Sequence, residues 1–358
     1  MSLSDFLQRA TSRWMKDGGP EDDIILTSRI RIARNLQGLP FPILQTDTHA
    51  DEVIRAVQEA VAAEAVAKVG KFEFIRCASL SPLDRQVFVE KHLISPDLAE
   101  AEKHGAIALR DDEAISIMVN EEDHLRIQCI MPGLRLEDAW HLASAVDDAL
   151  EQSLLYAFHE KFGYLTACPT NVGTGIRASV MMHLPGLVLS GNIQRMLTAV
   201  SHVGLAVRGM YGEGTESNGS LFQVSNQVTL GETEEEIIGN LSSVVHQLID
   251  HERAARKALL QENREALEDR VCRSFGILAY ARRMDSRETL QRLSDVRLGI
   301  DLGILKGVSS GILKELMVMT QPAFLQKYFH EELAPGERDI RRAMLVRERL
   351  RLDDTEVR

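Results

Sequence analysis

The order of elements in this chain predicts an α+β fold: an antiparallel sheet flanked by helices, followed by an all-helical C-terminal region. Three observations carry that expectation. Residues 106–110, 114–120 and 124–131 read as short strands in immediate succession. The Arg110-Asp111-Asp112-Glu113 turn between the first two suits a hairpin, hence antiparallel pairing. Helical patterns at residues 48–69 and about 136–158 bracket these strands, and from about residue 232 onward no segment reads clearly as strand.

Taken in order, Ile24-Ile25-Leu26-Thr27-Ser28-Arg29-Ile30-Arg31-Ile32-Ala33-Arg34 partly alternates apolar and polar residues, a strand signal. Residues 48–69 place apolar side chains at helical spacing among many alanines. Ser81-Pro82-Leu83-Asp84 is a helix start: Ser as N-cap, Pro at the first helical position and an acid in the first turn. Further strands fit 177–184, 204–209 and 221–226, with a helix near 189–201. Glu232 to Arg270 is a long polar helical stretch. After it, helical segments are broken by Gly299, Gly303, Gly307, Gly311, Pro322 and Pro335-Gly336. We expect a domain boundary near residue 250, where a helix can run across it, dividing residues 1–250 from a helical domain at 251–358.

Length and composition agree. A chain of 358 residues favours two domains. Hydrophobic residues make up 44% and aromatics only 5%, so the core is expected to be aliphatic. A net charge of −12 argues against non-specific nucleic-acid binding and is compatible with basic protein partners. Cys77, Cys129, Cys168 and Cys272 lie far apart without metal-ligand spacing, so disulfides are not expected and a reducing cytoplasm is the default. No apolar run approaches the ~20 residues of a membrane span. The N-terminus, Met1-Ser2-Leu3-Ser4-Asp5-Phe6, does not read as a signal peptide. The histidines show no HExxH pattern, so no dedicated metal site is expected.

Four segments carry chemistry. Asn120-Glu121-Glu122-Asp123-His124-Leu125-Arg126 puts adjacent carboxylates, then an arginine, at a strand end. Arg29 and Arg31, two apart on a strand, share a face and repel unless an anion lies between them; guanidinium suits phosphate. The alternative is a solvated edge strand. Gly173 and Gly175 lead to Arg177 in a loop whose backbone could approach phosphate, and Cys168 stands before Pro169 at its entrance. That cysteine is either a small buried hydrophobe or a thiolate activated by nearby guanidinium charge. Arg208 ends an apolar run and precedes a Gly-rich loop in which Glu213 could reach into a site. Each segment alone also fits ordinary solvation or packing. Together they suggest carboxylates for a cation and arginines for a polyphosphate.

Jointly, the runs NEEDHLRI and CPTNVGTGIRAS and the Arg208…Glu213 segment resemble the ATP:guanido phosphotransferases (phosphagen kinases) over roughly residues 20–250. The resemblance implies a glutamine-synthetase-like antiparallel sheet and transfer of the γ-phosphoryl group of ATP, with Mg²⁺, to a guanidinium nitrogen. It implies phosphate binding by Arg29, Arg31, Arg126, Arg177 and Arg208, and acceptor alignment by Glu122 and Glu213. Cys168 would touch the guanidinium and His92 the nucleotide base; Met181 stands where many members have a base-contacting histidine. Phosphagen kinases carry a helical domain before the catalytic one. Here Ser28-Arg29-Ile30-Arg31 comes almost at once, and a helical stretch follows instead. That arrangement is similar to the bacterial protein-arginine kinases of the family. Arg338-Asp339-Ile340-Arg341-Arg342-Ala343 is similar to their phosphoarginine-sensing motif, through Arg338, Asp339 and Arg342.

This resemblance implies a cytoplasmic enzyme that phosphorylates protein arginines. It would mark clients for a Clp-type chaperone and protease and inactivate a stress-response repressor. It would work with an activator protein, as a homodimer, with no direct role for nucleic acid or membrane. A kinase for free arginine, and a phosphoarginine-binding adaptor with a vestigial kinase site, remain as alternatives. A nucleic-acid binder using the Arg-rich C-terminus is disfavoured by the net charge.

Overall fold

The structure, a computed structural model, describes residues 3–9, 11–16, 18–101, 103–209 and 217–351. Its centre is an antiparallel sheet built from β1 (Ile25–Arg34), β2 (Phe72–Arg76), β3 (Ala106–Arg110), β4 (Ile115–Val119) and β5 (Leu125–Pro132). A two-stranded hairpin of β6 (Phe158–His159) and β7 (Gly163–Tyr164) stands apart. The main sheet is completed by β8 (Ile176–His183), β9 (Leu205–Gly209) and β10 (Leu221–Asn226). The strand order is β2-β3-β4-β5-β1-β8-β10-β9, so β1 sits near the middle, paired with β5 and β8.

Register fixes what each face does. Arg31 lies directly opposite Gln128 on β5 and Arg177 on β8. Arg29 lies opposite Ser179, Arg126 opposite Ala33, and Arg208 opposite Gln223, which in turn faces Met181. Side chains two apart on a strand share a face and direct cross-strand partners do too. Arg29, Arg31, Arg126, Arg177 and Arg208 therefore emerge from one face of the sheet.

The alternate residues, among them Ile30, Ile32, Ile127, Ala178, Val180 and Val224, point to the other face and are fully buried there. They pack against apolar stripes of helices Asp47–Ala62, Leu136–Glu151 and Glu234–Glu262. Each such fully buried Ile or Val side chain is worth about 1.5–3 kcal/mol of transfer free energy. A second core lies beneath part of the arginine face. It joins Trp14, Phe88, Ile130 and Met181 to Met317, Phe324 and Leu345 of the C-terminal helices. A third core lies within those helices.

The expected strands are present, with several adjustments. β2 was not anticipated: Phe-Glu-Phe-Ile-Arg is short and mostly half-exposed, and only pairing with β3 makes it a strand. The stretch 48–69 divides at Ala63, and the helix expected to reach 158 ends at Glu151. The helix expected near 189–201 is Ile193–His202, preceded by the short helix Pro185–Leu189. Ser81 caps its helix as expected, its hydroxyl accepting the Asp84 N–H at 3.1 Å. The polar stretch 232–270 breaks at Asn263, whose backbone leaves the helical region (φ −149°, ψ 56°). Helix Glu234–Glu262 passes residue 250 without interruption. No helix among the described residues is long and apolar enough to cross a membrane.

Candidate active site

The arginine face opens into a cleft of two joined chambers. One, about 570 Å³, is lined by all five arginines together with Glu121, Glu122, Asp97 and Gln223. The other, about 830 Å³, shares Arg29, Arg31 and Arg126 with it and extends past His92 to Pro322, Gln326 and Arg338 of the C-terminal helices. A small third cavity, about 120 Å³, brings Cys168 and Asn171 beside Glu122, Arg126, Arg31 and Arg177. The sequence-predicted residues Arg29, Arg31, Arg126, Arg177, Arg208, Glu122, Cys168 and His92 thus line one connected region. Glu213 lies outside the described residues.

The electrostatics are those of crowded cations. Burial, then Arg177 and Arg126, lower the Arg29 guanidinium to about 10. Burial, Arg29, Arg126 and Arg177 lower Arg31 further, with Glu121 opposing. Arg177 is lowered by burial, Arg208 and Arg126. Few protein anions answer them. Arg29 donates to the amide oxygen of Gln223 at 2.6 Å and to Ser179 Oγ at 3.3 Å, both uncharged. Among the described residues, the buried Nε atoms of Arg31 and Arg177 have no hydrogen-bond partner. A buried donor without an acceptor is costly, so this donor set fits a polyanion such as a nucleotide polyphosphate.

At the rim, Arg126 donates to Glu121 at 2.6 Å and to Glu122 at 2.7 Å. Glu121 is buried and also accepts from Ser95 Oγ at 2.6 Å. Glu122 is more exposed, its side chain 43% accessible, and so faces the cavity. Burial raises the Glu122 carboxyl above its ordinary value; Arg126 opposes this, while Asp123, Glu121 and Asp97 add to it. Its contact with Arg126 already shows that this carboxylate engages a guanidinium.

The turn carrying these acids is held from beneath. Asn120 takes the left-handed conformation (φ 55°), which Asn tolerates, and its amide donates to the carbonyls of Ala50 and His104, each at 3.0 Å. Asp123, fully buried, accepts from Asn35 Nδ2 at 2.6 Å and from the Ala167 N–H at 2.7 Å. His124 Nδ1 accepts the Leu36 N–H at 3.0 Å. One acidic turn therefore ties the end of β1 to the residue before Cys168. Cys168 is half-buried, with Sγ 3.0 Å from Thr170 Oγ1.

Gly173 and Gly175 owe their identity to close packing. A Cβ on Gly173 (φ +116°) would meet the Thr229 carbonyl at 2.8 Å, and one on Gly175 (φ +69°) the Ala33 carbonyl at 2.7 Å.

His92 adopts a left-handed conformation (φ 60°), its ring 5.6 Å from that of Trp14. Burial, then Arg29, lowers it to about 4, which keeps it neutral. Met181 lies nearby, in a narrow crevice with Trp14, His92 and Gln223. The three C-terminal residues do not share one environment. Arg338 lines the larger chamber. Arg342 is buried and already donates to the carbonyls of Thr320 (2.8 Å) and Met284 (3.0 Å) and to Asp339 (2.8 Å).

Sequence reasoning missed Glu121, Asp123, Asn35 and Gln223 as positioning residues. Only the acids carried a signal, through their place in the 120–126 run; Asn35 and Gln223 act through partners far away in the chain.

Comparison with known proteins agrees with this geometry. Residues 52–255, more than half of the chain, match the family description "ATP:guanido phosphotransferase, C-terminal catalytic domain". Residues 264–358 match "Protein-arginine kinase McsB C-terminal domain". The protein-arginine kinase of Brevibacillus brevis is 56% identical over 356 residues, covering 99% of this chain and 100% of the relative. That of Halalkalibacterium halodurans is 57% identical over 354 residues, 99% of each chain. Among solved structures, a lombricine kinase shares the fold, with a TM-score of 0.57 at 24% identity over 70% of this chain and 72% of that one. The chain belongs to the ATP:guanido phosphotransferase family, in its protein-arginine kinase branch. It is an enzyme, a phosphotransferase that acts on arginine.

Proposed function

We propose that this enzyme transfers the γ-phosphoryl group of ATP, with Mg²⁺, to a guanidinium nitrogen of arginine residues in proteins. The observation that carries this is one sheet face bearing five guanidinium groups from four strands, with Glu121 and Glu122 at its rim. Full-length similarity to protein-arginine kinases supports the protein acceptor. The complete set of arginines beside Glu122 and Cys168 speaks against a vestigial site.

In this reading the arginines hold the phosphates and offset the charge that builds toward the departing ADP. The larger chamber takes the nucleoside at its sheet end, with neutral His92 against the base, and leaves its far end at Arg338 to a second ligand. Mg²⁺, bound with the nucleotide, would supply further charge neutralisation. Of the arginine chamber's lining, Asp97, Glu121 and Glu122 are the carboxylates that would be offered to it beside the phosphates. An arginine guanidinium, a very weak acid, is protonated at neutral pH and a poor nucleophile. Glu122 aligns it and accepts its proton as the N–P bond forms and the bond to the ADP oxygen breaks. Glu213 is assigned the second aligning carboxylate, and Cys168 a contact to the guanidinium. Holding both reactants in line could supply ~7–11 kcal/mol of the barrier.

The cellular role we assign is marking clients for Clp-type proteolysis and inactivating a stress-response repressor in the cytoplasm, under an activator protein. A homodimer held by the C-terminal helices is supported by the exposed Tyr280, Ile340 and Met344 on them. Arg338, Asp339 and Arg342 are assigned to sensing phosphoarginine. The direct test is to incubate the protein with Mg-ATP and a basic protein and map phosphate. Acid-labile phosphate on arginine is expected; phosphate only on hydroxyl side chains would refute the assignment.

A further inference from the structure

We infer that the groove between Phe41–Asp47 and the acidic turn binds the polypeptide that carries the acceptor arginine, seating an aliphatic or aromatic residue next to it in sequence. This rests on the protein-acceptor reading above.

Glu122 lines three cavities. The arginine chamber takes phosphate, and the small cavity at Cys168 takes the acceptor guanidinium. An acceptor within a protein needs a third opening, through which its backbone and neighbours leave. The third cavity at Glu122, about 580 Å³, is lined by Phe41, Ile43, Leu44, Glu121 and Ala167. It is open to solvent on the side of Ile43 and Leu44, whose exposures are 85% and 76%. Two adjacent aliphatic side chains held that far into water lose the burial that would stabilise them, unless another chain covers them.

The lip is built, not loose. It is the single turn Pro42–Leu44, anchored by His124 of the acidic run. His124 Nε2 lies 2.9 Å from the Pro40 carbonyl, and the Phe41 ring meets the His124 ring edge-on at 6.4 Å. The same residue that fixes the Glu122 turn thus fixes the apolar lip. Charge complements the occupant. Glu122 and Asp47 present accessible carboxylates at the groove, and Asp47 lies beside His104 at 3.2 Å. A cationic, apolar-flanked segment of client chain suits this lining; a second folded copy of this acidic protein does not.

The test uses the full-length protein and two synthetic peptides with one arginine each. One peptide has leucine and valine flanking the arginine, the other glycine and serine. Wild type is expected to favour the first by about tenfold in kcat/KM, the size of partial burial of one side chain. The double variant I43S/L44S is expected to bring the ratio close to one. ATP affinity and unfolding midpoint, measured alongside, verify that it is folded. An unchanged ratio in the variant, or no preference in wild type, overturns the groove. Transfer to neither peptide overturns the protein-acceptor reading itself, and the groove with it.

Discussion

At the scale of single residues, Glu122 binds Arg126 while facing the space assigned to the acceptor. Replacing it separates the two roles. Glu122→Gln keeps the shape and one acceptor oxygen but cannot take a proton. Turnover should fall by about 30- to 1000-fold, the loss expected for ~2–4 kcal/mol, while ATP affinity changes little. Steady-state kinetics with nucleotide-binding titration decide this; turnover near wild type would remove Glu122 from the proton step.

His92 gives a pH signature. Its folded-state value, about 4, lies below the ordinary 6.5. Such a base contributes stability that is fully present above 6.5 and is lost as pH falls toward about 4, because only the unfolded chain readily takes the proton. His92→Asn keeps a residue that tolerates the left-handed backbone and removes the titration. Urea unfolding without nucleotide should show wild type losing stability relative to this variant across that window. Parallel pH curves would contradict a neutral, half-buried ring. Residues at this scale were legible where spacing alone aligns them, as with Arg29 and Arg31. They were illegible where a partner comes from afar: Gln223, bound to Arg29, is 194 residues away.

At the scale of elements, β1 is the hub, because two of the five arginines stand on it and both its neighbours carry one more. Its end is fixed by Arg34, which donates to Asp147 on helix Leu136–Glu151 at 2.6 and 3.1 Å and lies 3.4 Å over the Tyr164 ring. Both partners are almost fully buried. Asp147→Ala leaves a buried guanidinium without its counter-charge. It should lower unfolding free energy by about 3–5 kcal/mol. Denaturant titration checks this; a loss under ~1 kcal/mol would mean the pair is not what holds the helix to β1.

The same scale explains what elements the sequence revealed. β1, β3, β4 and β5 showed because pattern and turn chemistry agree with tertiary pairing. β2 did not, since its short half-exposed run is made a strand by β3. The break at Asn263 was hidden inside a continuous polar helical pattern.

At the scale of the whole molecule, the two regions share a core and a chamber. Glu90 accepts the N–H groups of Ala323 (2.9 Å) and Phe324 (2.7 Å), docking helix Pro322–Phe329 onto the sheet domain. Arg256 reaches Glu252, Asp301 and the Asp23 carbonyl at once. No sequence pattern announces such docking, because its partners lie on opposite sides of residue 250.

Arg338 and Arg342 should therefore behave differently. Arg338→Ala should weaken the kinase response to phosphoarginine with little effect on stability, since Arg338 faces the chamber. Arg342→Ala should cost about 1–3 kcal/mol or more, because it leaves the buried Thr320 and Met284 carbonyls without their donor. Activity with and without phosphoarginine, paired with denaturation, tells them apart; equal destabilisation by both would contradict the division.

The measurement that bears most directly on the whole account is a competition in one tube. Mg-ATP, a basic protein and a large excess of free arginine are mixed with the enzyme, and acid-labile phosphate is followed on each acceptor. The account predicts phosphate on arginine side chains of the protein despite the excess of free arginine. Phosphate accumulating on free arginine alone would contradict it.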